Sequence, residues 1–306
     1  MSSLKILFVL FFICLFCCYA QTNFFNYYNN LVPNSNGLSE QSKIIESSNV
    51  KELLSLDFVI SRTITLFSKE NSVLKDSAFV AFWNYYLTVK DNFCNQITQT
   101  GLPINYSAFT NISDYPSKAS EKILKKSGYK FNETELKFLK DLNQYSLKLT
   151  SREGMYEVSF GNKRIIEDYF KSFISNDLYL FIEKTMDESI VPYAYDGAIS
   201  IPLTDAAKRL VVWENISNSA LPIYFIKQAN DNYKNYLNAL IAGIDNTPAF
   251  NPSTNRLNKK FETVYKGIIK NYKGTESAAK IKLYLELLKK NKFIKTQEIE
   301  IFINNL

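Results

Sequence analysis

Between positions 257 and 272 the large apolar residues fall at Leu257, Phe261, Val264, Tyr265, Ile268, Ile269 and Tyr272, with Gly267 and polar residues between them. Steps of three and four residues place these side chains on one face of a helix. Gly274 ends that helix and Thr275 opens the next, whose buried face is marked by Ile281, Tyr284, Leu285 and Leu288. Thr296 is then the expected cap of a short last helix holding Ile299, Phe302 and Ile303 inside.

Upstream, segments 49–68 and 72–98 are apolar around much of their circumference, as helices in the middle of a bundle are. A loop at 101–117 leads through Asp114 and Pro116 into a helix at 116–127. Asn132, with Glu135 three residues on, has the spacing of a capping box and predicts a helix running to about 150. Further helices are expected at 162–175 and 177–188. The run VPYAYDGAISIPL at 191–203 interrupts the pattern. Thr204 or Asp205 caps a helix to about 217, and Pro222 opens another to about 242. Residues 155–160, MYEVSF, admit one short strand. The expectation is an all-α, multi-helix bundle of roughly ten helices with no essential sheet. The helical domain is taken as 39–306, with a subdivision placed near 189–203.

The start of the chain reads differently. Lys5 precedes an unbroken apolar run from Ile6 to Phe16, and the small residues Cys18 and Ala20 stand before Gln21. That order marks 1–20 as a secretory signal peptide, followed by an Asn-rich flexible arm at 21–38. Of four cysteines, three leave with the signal, and Cys94 alone makes no disulfide within the chain. It follows Phe93 on an apolar helix and is expected to be buried as a small hydrophobe, with a bond to another chain as the alternative. Four sequons begin at Asn105, Asn111, Asn132 and Asn215. Behind a signal peptide they predict N-glycosylation and a secreted, extracellular protein. Asp57 and Arg62 interrupt the best remaining apolar stretch, so no membrane-spanning segment is expected.

Composition then narrows the chemistry. The chain contains no histidine, which removes Ser-His-Asp and Cys-His nucleophile pairs and the usual zinc sites. Nine glycines form no phosphate-cradling loop. Asn230-Asp231-Asn232 does not match a calcium loop, and no metal or other cofactor is implied. Carboxylate chemistry survives, with Glu167-Asp168, Asp187-Glu188, Asp141 and Asp205 as its carriers. Adjacent acids on a helix diverge, so each doublet reads first as a solvated face.

Charge is more informative. The formal net charge is +6, yet residues 256–295 hold twelve Lys or Arg against Glu262, Glu276 and Glu286. Lys259, Lys266, Lys270 and Lys273 fall on one stripe opposite the apolar face. Such a stripe reads first as a solvated outer face and second as a docking face for an anionic surface or acidic glycan; no aromatic-basic motif for nucleic acid is present. Tyr193 and Tyr195, in the irregular 191–203 stretch, are candidate partner contacts. Phe82, Trp83 and Tyr86 read first as core and second as the lining of a cavity for an apolar ligand. These features favour a non-enzymatic protein that binds an extracellular macromolecular partner. The alternatives are a carrier of a lipid-like ligand in an aromatic cavity and a carboxylate-based hydrolase.

Overall fold

The computed structural model describes residues 49–99, 112, 115–152 and 155–306. The predicted signal peptide and arm, and the sequons at Asn105 and Asn111, lie outside the described residues. The fold is all-α: the described residues form eleven helices and three two-stranded antiparallel ribbons. They divide into two compact units, the first ending at Ile190 and the second spanning Val191–Leu306.

The first unit begins with α1 (Asn49–Phe67) and α2 (Ser72–Gln99), which pack on each other. α1 buries Leu56, Val59, Ile60 and Thr63, one stripe of a helix. α2 is buried without a break from Ala78 to Trp83, because it carries small and aromatic residues around its circumference. Two local caps start the next helices. Ser117 Oγ accepts from Ser120 N ahead of α3 (Lys118–Lys126). Asn132 Oδ1 accepts from Glu135 N at 2.9 Å, while Glu135 Oε2 accepts from Asn132 N at 2.8 Å, so the capping box opens α4 (Glu133–Gln144) as its spacing predicts.

That helix stops at Gln144, short of position 150. Ser146 turns the chain at φ 63°, and β1 (Leu147–Arg152) pairs antiparallel with β2 (Met155–Phe160), Leu147 opposite Phe160. The reason is a change of period: Leu147 and Leu149 on β1, and Val158 and Phe160 on β2, are buried at steps of two. Ser146 holds the far side of the junction, its Oγ accepting from Ile165 N and its carbonyl from Gly161 N, both at 2.8 Å. The helix predicted over 162–175 is shorter too: α5 (Arg164–Tyr169) ends where Phe170 turns into the core at zero exposure. Asp76 Oδ1 accepts from Ser175 N at 2.7 Å immediately before α6 (Asn176–Ile190).

In the second unit, β3 (Ala194–Tyr195) and β4 (Ala198–Ile199) form a hairpin over Asp196-Gly197, both at positive φ. Helix α7 (Leu203–Ser217) starts at Pro202, earlier than a Thr204 or Asp205 cap would place it, and no side chain caps it locally. Pro222 likewise opens α8 (Ile223–Ala242). A second small hairpin follows, β5 (Gly243–Ile244) with β6 (Thr247–Pro248). Gly243 permits that return at φ 79°: a Cβ there would lie 2.5 Å from Thr247 O and 2.7 Å from Pro248 C.

Helices α9 (Lys259–Asn271) and α10 (Glu276–Lys290) pack on each other and on α7, and α11 (Gln297–Asn304) closes the unit. Phe261, Val264, Tyr265 and Ile268 are buried on α9, and Ile281, Tyr284, Leu285 and Leu288 on α10. Burying each such side chain contributes on the order of 1.5–3 kcal/mol before entropy is charged against it. Helix ends inside this unit find partners far away in sequence. Glu214, buried on α7, accepts from the backbone N of Glu276 and Ser277 and from Ser277 Oγ at the start of α10. Thr275 Oγ1 adds a local cap at Ala278 N, 3.1 Å. Tyr265 Oη donates to Leu240 O and Ile241 O, and Tyr284 Oη to Ile241 O, so two tyrosines satisfy the last carbonyls of α8. Thr296 does not cap α11 through its side chain; its hydroxyl pairs with Asn291 Oδ1 at 3.0 Å instead.

Candidate functional site

The lysine stripe lies on α9 and just past its end, opposite the buried Phe261–Ile268 face. Lys259, Lys266, Lys270 and Lys273 are all exposed. Lys259 and Lys270 stand about 16 Å apart along the axis at 1.5 Å per residue. They differ in partners. Lys266 Nζ is 2.5 Å from Glu262 Oε1, while among the described residues no carboxylate lies within 4.0 Å of Lys259, Lys270 or Lys273. Elsewhere in the unit, Lys280 pairs with Glu276, Lys290 with Glu298 and Lys295 with Glu300. Lys282, Lys289 and Lys292 again have no carboxylate at that distance among the described residues. Lys270 sits in the last turn of α9, where the helix dipole favours a cation and lowers the cost of leaving it unpaired.

The two loop tyrosines separate. Tyr193 is packed, its ring 4.4 Å from that of the buried Tyr236, whereas Tyr195 on β3 is 48% exposed. The loop carrying them is braced. Asn246 Nδ2 donates to Asp196 O at 2.6 Å, Ile199 N to Thr247 Oγ1 at 3.0 Å, and Arg209 Nη1 to Val191 O at 2.8 Å.

In the first unit, Phe82, Trp83 and Tyr86 are core residues. Trp83 lies 5.3 Å from Tyr86 and 5.7 Å from Phe160, and Phe82 lies 4.6 Å from Phe170, ring to ring. Tyr86 Oη donates to Tyr145 O at 2.6 Å, and burial pushes that phenol well above its usual pKa. Cys94, on the same helix, is half-buried. The acids named as candidates are drawn to lysines. Lys163 Nζ is 3.1 Å from both Glu183 and Asp187 and 4.0 Å from Glu167, and Lys184 is 2.9 Å from Asp187. Partial burial works against the charge of Asp187, yet hydrogen bonds from Lys184 and Lys163 outweigh it and hold the carboxyl below its usual pKa. Asp141 pairs with Lys137 and Asp205 with Lys208; Asp231 pairs with Lys227. Asp168 is exposed, and Glu188 half-buried.

Of the described sequons, Asn132 is exposed and uses its amide oxygen for the cap, leaving the nitrogen that a glycan takes. Asn215 is exposed on α7. No described helix is long and apolar enough to cross a membrane.

Two surface features escaped the sequence reading. Ile223, Tyr224 and Ile226 are exposed on the first turn of α8, Ile223 at 88%. A cleft of about 350 Å3 opens between α11 and the loop after β6. Its one signal was the turn-rich run TPAFNPSTN at 247–255, set among helices. Comparison of the chain with models of known protein families, with characterised proteins and with solved structures gives no match.

Proposed function

We propose that the chain is a secreted, N-glycosylated, non-enzymatic binding protein whose second unit docks on an anionic extracellular macromolecule through the lysines of α9 and its C-terminal neighbour. The observation that carries this reading is the set of exposed lysines without carboxylate partners, Lys259, Lys270 and Lys273 foremost, beside others that are neutralised. Unpaired cations on a rigid helix attract a polyanion without first breaking ion pairs. The apolar signal-like start and the exposed Asn132 and Asn215 support the extracellular setting. Against catalysis, Glu167, Asp187, Asp141 and Asp205 are each held by a lysine instead of facing one another across a cleft. The carrier reading draws less support, since Phe82, Trp83 and Tyr86 fill their space with other rings.

The test is retention of the glycosylated protein on heparin across a salt gradient. Lys270→Glu with Lys273→Glu should elute at clearly lower salt, while Lys266→Glu should shift less because Glu262 already neutralises that charge. Equal elution of all three proteins overturns the docking surface. Expression in a eukaryotic secretory host tests the setting separately: protein retained in cells, with no mobility change on glycan removal, overturns it.

A further inference from the structure

The cleft beside α11 lies within the second unit and makes no use of the lysine stripe, so it stands apart from the docking reading. Pro248, Phe250, Pro252 and Ile303 supply its apolar surface. Asn251, Asn255 and Asn304 supply carboxamides, and Lys295 and Glu300 face each other at 3.1 Å on its wall.

The walls are fixed by the backbone. Asn251 N donates to Arg256 O, Asn255 N to Asn251 O, and Lys295 N to Asn255 O, each at 2.8 Å. The last of these ties the loop to the segment leading into α11. Asn251 Oδ1 accepts from Ser253 N at 2.9 Å and Thr254 N at 3.1 Å, which orients its Nδ2. Asn255 is held at φ 53°, a conformation asparagine tolerates better than most residues. Among the described residues, no group hydrogen bonds to the carboxamide of Asn255 or Asn304. The loop backbone and the Asn251 side chain are thus set in place before any ligand arrives.

We infer that this cleft binds a short, uncharged, extended peptide segment. The carboxamides of Asn255 and Asn304 each offer one acceptor and two donors and Asn251 offers its Nδ2 donors, matching the C=O and N–H of peptide groups. Lys295 and Glu300 cancel, so the site selects neither anions nor cations. A purely apolar ligand would leave the carboxamides of Asn255 and Asn304 and the Nδ2 of Asn251 desolvated and unpaired, which is costly. A sugar ring would need an exposed aromatic platform, and the one aromatic lining residue, Phe250, is 7% exposed. Prolines and Ile303 suit small apolar side chains on alternate residues of the segment. The volume sits at the lower end of ligand sites, room for a few residues.

A displayed library of random heptapeptides, selected on the immobilised glycosylated full chain, tests this. The counter-selection protein carries Asn255→Gly, which keeps the positive φ and removes the carboxamide, together with Asn304→Ala at an exposed helix end. Both proteins should show the same thermal unfolding. Uncharged sequences binding the native chain at least ten-fold more tightly than the variant are the expected result. No enrichment over the variant overturns the inference, as does enrichment of acidic sequences displaced by heparin, which belong to the lysine surface. Saturable binding of tri-N-acetylglucosamine, lost in the variant, overturns it in favour of a sugar.

Discussion

In the first unit Lys163 lies within 4.0 Å of Glu167, Glu183 and Asp187, and Lys184 closes the group. In the second, Lys259, Lys270 and Lys273 stand exposed with no carboxylate at that distance among the described residues. The helix starts differ as well. Ser117 and Asn132 cap their own helices in the first unit. In the second, α7 and α8 begin at prolines without a side-chain cap, and α10 is also held by Glu214, sixty-odd positions away. The first unit therefore starts two helices with neighbours in sequence, although Asp76 reaches Ser175 N ahead of α6 from ninety-nine positions away. On α3, Lys122, Lys125 and Lys126 are also exposed with no carboxylate within 4.0 Å among the described residues. The second unit depends on contacts between elements for the start of α10 and the end of α8.

The strongest way to break that dependence is Gly243→Ala. The added Cβ has no space at the α8–β5 junction, and the end of α8 that Tyr265 and Tyr284 hold must move. A loss above about 3 kcal/mol is expected, read by urea denaturation. The chain has two tryptophans, Trp83 on α2 and Trp213 on α7. In a Trp83→Phe background, emission reports the second unit alone.

Next comes a pair that sharpens the contrast in caps. Glu214→Ala leaves Ser277 Oγ and two backbone N–H groups at the start of α10 without their acceptor. It should cost about 3 kcal/mol, against about 1 kcal/mol for the local cap in Asn132→Ala. Equal losses would erase the distinction between local and distant caps.

The ion-pair group of the first unit predicts an acid response. Asp187 has a folded pKa below its ordinary value, so its contribution is present above the unfolded pKa and is lost as pH falls through the folded one. Asp187→Asn should cost no more than about 1 kcal/mol at neutral pH, since the side chains are partly exposed. It should also flatten the fall in Trp83-reported stability on acidification below the ordinary aspartate range. A slope unchanged by the substitution contradicts the assignment.

The smallest effect is a gain. α10 ends with Phe293 N bonded to Leu288 O and Lys292 N to Lys289 O, the bond pattern in which glycine usually occupies the position of Lys292. Lys292 has φ 55°. Lys292→Gly should stabilise the second unit by about 0.5–1 kcal/mol, the left-handed strain outweighing the added chain entropy. A loss instead would show that the lysine side chain itself matters there.

The parts of this architecture visible in sequence are those with local causes. Apolar steps of three and four residues located α9 and α10 and their buried faces, and Asn132 with Glu135 located the start of α4. Where two periods compete, the reading failed. LKLT at 147–150 follows a good helix former, and only its pairing with Val158 and Phe160 makes it a strand. Thr296 looked like a cap, but Asn291 captures its hydroxyl. At the candidate site the stripe of lysines was legible, while the pairing of the lysines around it was legible only in part. Glu262 lies four residues from Lys266, a legible pairing, but Glu298 reaches Lys290 only through the turn between α10 and α11. The cleft depends on the Asn255–Lys295 backbone bond, forty positions apart, for which no local pattern exists.

Tyr86, Tyr265 and Tyr284 donate their hydroxyls to backbone carbonyls inside the two cores, and burial raises the pKa of all three. In alkaline solution these three absorb as neutral rings beyond the ordinary tyrosine range, until the helices part. Stability is intact below the ordinary tyrosine pKa and declines as pH climbs toward the folded values, because the opened chain releases protons that the cores retain. A late step in ultraviolet absorbance would therefore mark the opening itself, making each core an optical witness to its own unfolding.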